Sequence, residues 1–197
     1  LHSEKSFQVD AGVEFNTEHL SLAASFFNNS INQYIYFEKT ASVGGGDSIV
    51  TVGTDDFYLF RFVQQNANLY GMELSFDIHP HPLDWLHFES SFSFVRGLLS
   101  SPIEGNRNIP FIPAARVLSE LRFDLFQKQK KLLKNTYFKI ELDRNFKQKN
   151  AFTTFNTETP TVSYTLINAG VGADFIHKGK TMISIYVVAA NIFDAAY

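Results

Sequence analysis

Three histidines near the middle of the chain have the residue type that binds transition metals. His79 and His81 stand in the segment His79-Pro-His-Pro-Leu-Asp84, and His87 follows shortly after it. A structural zinc ion needs three or four converging ligands. His79 and His81 lie in a proline-flanked turn, and His87 shares a strand face with His79 only if the register of the strands allows it. The sequence therefore favours a solvated turn over a metal site at His79 and His81, and it predicts no cofactor.

Acidic side chains could perform acid–base chemistry only if two of them converged on one substrate. Here they are spread over several segments and alternate with small polar residues. The carboxylates concerned are Glu73, Asp77, Glu89, Glu120 and Asp124. No nucleophile elbow, P-loop or HExxH motif accompanies them. The sequence thus predicts that the chain is not an enzyme. These carboxylates line either a polar lumen or the ordinary wet face of a sheet.

Composition excludes several other classes of function. The chain has 197 residues and a net charge of -3, which is too small to indicate a nucleic-acid partner. It has no cysteine, so disulfide and thiolate chemistry are excluded. Phenylalanine alone accounts for 21 residues within an aromatic fraction of 15%. Together with abundant Ser, Thr and Asn, this composition is typical of β-strands, because aromatic side chains fit a pleated, half-buried surface.

Positions 68–79 alternate strictly between apolar and polar side chains. In an extended strand such residues point to opposite sides, so one side meets an apolar medium and the other meets water. Residues 85–97 repeat the pattern. The apolar positions of these two segments, which become lipid-facing if the medium is a bilayer, are Tyr70, Met72, Leu74, Phe76, Phe88, Phe92 and Phe94. The period alone does not decide between a lipid bilayer and a protein core.

The same alternation predicts eight strands and very little helix, since no window of comparable length favours a period of 3.6. The predicted strands are 6–15, 20–38, 56–79, 85–97, 114–126, 136–147, 161–176 and 181–190. In the second strand the apolar phase changes from even positions to the odd positions Ile31, Ile35 and Phe37. This change indicates either a β-bulge near 28–30 or a strand that leaves the apolar layer there. The predicted fold class is all-β, an antiparallel up-and-down meander of about eight long strands.

The connections between these strands alternate between short and long. In a meander, all the short turns then lie at one end and all the long loops at the other, as in transmembrane β-barrels of the outer membrane. The predicted strands are also longer than the typical five to six residues of soluble strands. Both features favour a transmembrane barrel. The alternative is a soluble β-barrel or β-sandwich that closes with its Phe-rich face inward and binds a small apolar ligand.

Five segments, 26–35, 65–73, 82–86, 105–113 and 191–197, resemble in order the C-terminal β-barrel portion of TonB-dependent outer-membrane receptors. The residues that carry the resemblance include an Asn-rich lead into a Gly, a loop with paired prolines and an Asn-Ile-Phe motif near the end. The family-motif residues are Gly71, Asn106, Pro110, Pro113, Asn191 and Phe193.

The resemblance implies a location in the bacterial outer membrane, within a barrel of about 22 strands around a plug. It also implies uptake of a scarce, bulky nutrient such as a ferric siderophore, with energy relayed by TonB through an N-terminal part of the parent. We expect residues 1–197 to be a single barrel fragment without the plug or the closing strand. Its open strand edges could then pair with another copy. The loops 39–55, 98–113 and 148–160 are the expected ligand-contacting parts.

Overall fold

The computed structural model describes residues 1–126, 128 and 131–196, and Tyr197 of the last resembling segment lies outside them. Every element of regular secondary structure in this part of the chain is a β-strand. They are β1 Lys5–Asn16, β2 Leu20–Lys39, β3 Ile49–Val52, β4 Asp55–Tyr58, β5 Phe60–Ile78, β6 Leu86–Ile103, β7 Asn106–Asn108, β8 Arg116–Phe126, β9 Leu133–Asn145, β10 Tyr164–His177 and β11 Lys180–Ala189. No helix long and apolar enough to cross a membrane is found among the described residues.

The long strands form one antiparallel sheet in the order β1-β2-β5-β6-β8-β9-β10-β11, to which β7 adds a short pairing with β6. Neighbours in the sheet follow one another along the chain, apart from the β3–β4 hairpin and β7. The predicted all-β, up-and-down meander of eight long strands is therefore confirmed. The sheet is open, because β1 and β11 lie at its two ends. The alternative in which eight strands close around the Phe-rich face is wrong.

Short and long connections alternate as the sequence predicts. The short ones follow β1, β5, β8 and β10, and the strand ends that they join share one end of the sheet, the turn end. The long ones are 40–59, 104–115 and 146–163, and they share the opposite end, the loop end. Each of the eight long strands runs from one end to the other, so their side chains can be placed by face and by distance from these ends.

The register joins the apolar sides of all eight long strands into one surface, the apolar face. Leu74 is opposite Phe92, and Phe92 is opposite Val117. Directly opposed residues point to the same side of a sheet. The same pairing continues to β1 and to β11 at the two edges. The apolar face includes Phe7, Val9, Val13, Phe15, Leu22, Phe26, Leu121, Phe123, Phe138, Ile140, Leu142, Ile167, Val171, Ile183, Ile185 and Val187. The other surface is the polar face.

The bulge in β2 lies a few residues beyond the predicted position. Residues 28–30 stay in register, and the shift falls between Ile31 and Tyr34, where two residues of β2 oppose Asn66. Gln33 takes a positive φ of 60° within the bulge. The extra residue returns Ile35 and Phe37 to the apolar face. Ile31, which precedes the bulge, points instead to the polar face, contrary to its predicted grouping with those two residues.

Most of the other strand bounds lie within three residues of the predicted ones, but two strands differ more widely. The predicted strand 56–79 is divided, because Asp55–Tyr58 folds back onto Ile49–Val52 as a separate hairpin around Gly53. The strand predicted to end at 97 continues to Ile103, where it pairs with β7. These short pairings lie within the long loops, where the alternation of side chains is too brief to reveal them.

The main protein core lies on the polar face, near the loop end. Its buried residues are Ile31, Ala67, Leu99 and Ile109. By contrast, Phe26 and Val171 on the apolar face are each 50% exposed. The described residues therefore leave the Phe-rich surface largely uncovered.

Candidate functional site

All seven lipid-facing candidates lie on the apolar face, in the pattern predicted from the sequence. Tyr70, Met72, Leu74 and Phe76 follow one another on β5, and Phe88, Phe92 and Phe94 do so on the adjoining β6. Ser90 and Ser119 place two opposed hydroxyl groups within this surface. Their Oγ atoms are 2.8 Å apart and form a hydrogen bond with each other. The polar groups at this point of the apolar face thus satisfy one another, as an apolar medium requires.

The apolar residues of this face form a band, the apolar band, which runs diagonally across the register of the sheet. At the loop end of β1 its last member is Phe7, which aligns through Ser30 with Asn68 of β5. At the loop end of β9 its last member is Leu142, which aligns through two serines with Phe76. Measured on β5, the loop-end edge of the band therefore shifts by eight residues between β1 and β9, which is about 26 Å. These two strands are separated by five strand spacings of about 4.8 Å each. A band at constant height then requires strands tilted by about 45°, which is the tilt of a transmembrane barrel.

Polar side chains border the band toward the loop end. Asn68 donates a hydrogen bond from Nδ2 to Asn28 Oδ1 at 2.9 Å. Arg144 follows the last apolar residue of β9 and donates from its NH1 nitrogen to Thr165 Oγ1 at 2.7 Å. At the turn end, the indole of Trp85 stacks on Phe123 with the ring centroids 6.0 Å apart. Such polar and aromatic borders suit the two interfaces of a bilayer.

The five predicted lumen-facing carboxylates all lie on the polar face. Asp77, Glu89 and Glu120 are directly opposed on neighbouring strands, and Glu141 continues the row. Opposed like charges destabilise a sheet unless they are compensated. Lys139 Nζ compensates one of them, at 2.6 Å from Glu120 Oε2. The remaining two predicted residues, Glu73 and Asp124, lie on either side of this row.

The loop 104–115 folds inward over the loop end of the polar face. Ile109 is 2% exposed, and its backbone N–H donates to the carbonyl of Gly97 at 3.1 Å. The loop 146–163 packs against it, with the side-chain amides of Asn106 and Asn108 each 3.4 Å from the carbonyl of Ala151. Two of the three predicted ligand-contacting loops therefore lie over the polar face and contact each other.

A cleft of 480 Å³ opens at the loop end, between the extension of β2 and β5 and these two loops. It is lined almost entirely by apolar side chains: Tyr34, Ile35, Tyr36, Phe37, Phe60, Phe62, Pro110, Phe111 and Phe155, with Thr157. Clefts of this size and lining bind organic molecules. Alternation along single strands does not predict this cleft, although the closely spaced aromatic residues at 34–37 and 57–62 are a signal for it.

The histidines are arranged differently from the pair considered in the sequence. His81 Nδ1 lies 3.2 Å from Asp84, and its ring stacks on His19. His79 instead contacts His87 across the strands. Within the described part of the chain, no group of three or more His, Cys, Asp or Glu side chains is placed to hold a metal ion.

The family-motif residues occupy turns and close contacts. Gly71 lies opposite Phe27 on the polar face. Asn106 begins β7, and Pro110 and Pro113 follow in the inward loop. Asn191 turns the chain after β11, because its Oδ1 accepts from the N–H of Ala195 and its Nδ2 donates to the carbonyl of the same residue. Phe193 is 76% exposed.

Comparison with known proteins agrees with this geometry. Residues 1–192 match the protein family described as "TonB dependent receptor-like, beta-barrel". No curated protein matches the chain. Among solved structures, the copper transporter OprC is similar with a TM-score of 0.71 at 14% identity, over 97% of this chain and 25% of OprC. The siderophore receptor PirA from Acinetobacter baumannii is similar with a TM-score of 0.56 at 17% identity, over 97% of this chain and 28% of PirA. The chain thus spans about a quarter of each structure.

Proposed function

Because the chain belongs to the TonB-dependent receptor-like β-barrel family, we propose that it forms part of the transmembrane wall of a receptor in the bacterial outer membrane. The observation that carries this proposal is the exposed apolar band, which crosses the register at the angle of tilted barrel strands. The band meets lipid, and the polar face meets the water and protein inside the barrel.

The transport step follows from the family. The ligand arrives at the loop end and contacts the loops that fold inward, and the polar face lines its path. Energy reaches the receptor through TonB, which contacts a part of the parent protein outside residues 1–197. The carboxylate row of Asp77, Glu89 and Glu120 faces this path or the plug. The chain itself performs no covalent chemistry.

For the ligand we propose a metal chelate with an organic shell, such as a ferric siderophore, rather than a bare metal ion. The support is the aromatic lining of the 480 Å³ cleft at the loop end. A bare ion needs converging oxygen, nitrogen or sulfur ligands, whereas an organic chelate can pack against aromatic rings. The names of OprC and PirA refer to copper and to a siderophore respectively, and each applies to that protein.

An uptake experiment with the intact receptor tests both parts of this proposal. Membrane fractionation should recover the receptor with the outer membrane. Cells that lack it should lose accumulation of one radiolabelled ferric siderophore from a panel, and should keep accumulation of free copper. Recovery from another compartment would contradict the location, and uptake of copper alone would contradict the ligand.

A pair of loop variants locates the binding surface. Phe111→Ser removes an aromatic ring from the cleft, and we expect it to weaken binding of the chelate at least tenfold, about 1.4 kcal/mol. Phe193→Ser is the matched control, because Phe193 is 76% exposed, against 68% for Phe111, but lies outside the cleft. Equal affinities for the two variants would show that the cleft does not bind the ligand.

A further inference from the structure

An arginine lies on the same side of the sheet as the apolar band, at the border of the band toward the loop end. Arg96 of β6 is directly opposite Tyr70 of β5, which belongs to the band. Phe94 precedes Arg96 on the same side of β6, about 7 Å away along the strand. A guanidinium keeps its positive charge in any protein environment. In the proposed membrane location, Arg96 therefore presents a fixed cation where hydrocarbon gives way to polar headgroups.

The protein groups around Arg96 do not satisfy its guanidinium. Its Nη2 donates a long hydrogen bond of 3.3 Å to Asn108 Oδ1. Its Nε is buried and has no hydrogen-bond partner among the described residues. In the same part of the chain, Arg96 forms no ion pair with a carboxylate. A buried cationic donor without an acceptor is costly, so an anionic acceptor beside Arg96 stabilises this position.

Arg96 lines a polar cleft of 750 Å³, the outer-face cleft. Arg107 of β7 lines it too, and its Nε donates to the carbonyl of Leu99 at 2.9 Å. The other polar side chains of the lining are Glu104, Asn106, Asn108, Thr153 and Thr154. Glu104 is the one carboxylate among them, so two arginines against one glutamate give the lining a net positive charge. Such a charge and so many donors suit an anion.

We propose that the outer-face cleft binds the phosphate of an anionic membrane lipid between Arg96 and Arg107. Arginine forms short, charge-assisted and often bidentate hydrogen bonds with phosphate. Phosphate oxygens accept from Arg96 Nε and from the Nη atoms of Arg107. The hydroxyl groups of Thr153 and Thr154 are further donors in the lining.

The position of the cleft favours a lipid over a soluble anion. Tyr70 lies opposite Arg96 and Phe94 lies beside it, both on the apolar face. A phosphate bound at Arg96 therefore places its attached acyl chains over these two rings. The cleft is also in the middle of the sheet, at β6 and β7, so strands that pair with the edges β1 and β11 do not cover it. The site is separate from the aromatic cleft, and it rests on the proposed membrane location, because only there does this face meet lipid.

Lipid binding to the intact receptor in detergent micelles tests the site. Native mass spectrometry should show tighter binding of phosphatidic acid than of phosphatidylcholine with the same acyl chains, because phosphatidic acid exposes its phosphate and carries net negative charge. Arg96→Gln should weaken binding of phosphatidic acid at least tenfold and leave binding of phosphatidylcholine unchanged.

Arg144→Gln is the matched control for this measurement. Arg144 lies on the same face and the same border, but its Nη1 and Nη2 already donate to the hydroxyls of Thr165 and Ser163. Equal losses in the two variants, or equal affinities for the two lipids, would overturn the proposal. Either result contradicts the lipid site alone, whereas recovery of the receptor outside the membrane contradicts the location.

A second test uses only the unaltered receptor, so it does not depend on the folding of a variant. p-Hydroxyphenylglyoxal modifies arginine side chains, and peptide mass spectrometry measures the modification of each one. Phosphatidic acid should slow the modification of Arg96 and Arg107 in parallel, relative to phosphatidylcholine, and should leave Arg144 and the exposed Arg61 unchanged. Protection of neither member of the pair, or of only one, would overturn the proposal. Equal protection by inorganic phosphate would show that the cleft takes a soluble anion instead of a lipid.

Discussion

At the scale of single residues, the clearest constraint comes from glycines that lie beneath aromatic rings. Gly71 is directly opposite Phe27, and Gly172 is directly opposite Tyr137. A Cβ at Gly71 would come within 2.5 Å of the Phe27 ring and would also meet the backbone carbonyl of Phe94. The aromatic side chain thus lies flat over a position that only glycine can occupy. Such pairs stabilise a sheet at residues with no side chain of their own.

Gly71→Ala should therefore destabilise the barrel by about 1–3 kcal/mol, because overpacking displaces the ring or the backbone. Gly170→Ala is the matched control, since its Cβ would meet mainly the flexible side chain of Lys139 at 3.3 Å. We expect the control to change stability by less than about 0.5 kcal/mol. Urea unfolding of the intact receptor in lipid vesicles measures both variants. Equal midpoints would show that the contact between Phe27 and Gly71 carries no constraint.

At the scale of elements, the inward loop depends on one anchor. Ile109 is buried against Ile31, Ala67 and Leu99, whereas Phe111 in the same loop is 68% exposed. Gly97 provides the space, because a Cβ at that position would lie 2.9 Å from the side chain of Ile109. The loop is thus held over the polar face by a small core and not by β-pairing alone.

Ile109→Ser should detach this loop, since removing a buried Ile side chain costs about 2–5 kcal/mol. We expect faster hydrogen exchange across 104–115 and unchanged exchange in β9, which contributes no residue to the core around Ile109. Phe111→Ser should leave the exchange of the loop as it is, because Phe111 contributes little to the core. If the two variants behave alike, the loop is held in place by other contacts.

The strands and loops also show how much of the structure could be predicted from the sequence. A period of two is visible within a single strand, so all eight long strands and the face of Leu74 or Phe92 could be predicted. The bulge was misplaced because the alternation of side chains does not reveal that the backbone N–H of Gln33 donates to Asn66 Oδ1. The contact between His79 and His87, the carboxylate row and the aromatic cleft depend on register and on loop packing between distant segments. Alternation within one strand carries no information about these.

At the scale of the whole molecule, the two faces of the sheet have opposite surroundings. The polar face holds the core at the loop end, the carboxylate row and the two inward loops. The apolar face has no covering element among the described residues, and its borders are polar toward the loops and aromatic at the turns. An open sheet of this kind is stable only if another medium covers the apolar face and other strands pair with its edges. A barrel in a bilayer meets both requirements.

Arginine substitutions one residue apart test this assignment of the faces. Leu74 and Phe92 are opposed on the apolar face, and Ser75 and Ser91 are opposed on the polar face one position further along. In the intact receptor, Leu74→Arg and Phe92→Arg should each destabilise the barrel by about 2–4 kcal/mol, the cost of arginine near the bilayer midplane.

The matched substitutions Ser75→Arg and Ser91→Arg place the same charge at nearly the same depth, but in water. We expect these variants, and Glu73→Ala on the same face, to have unfolding midpoints in lipid vesicles close to that of the unaltered receptor. The contrast between neighbouring positions separates lipid exposure from any general intolerance of arginine in these strands. If the serine positions are the sensitive ones, the faces are reversed and lipid meets the carboxylate row. Since that arrangement would leave Asp77, Glu89 and Glu120 in hydrocarbon, the register itself argues against it.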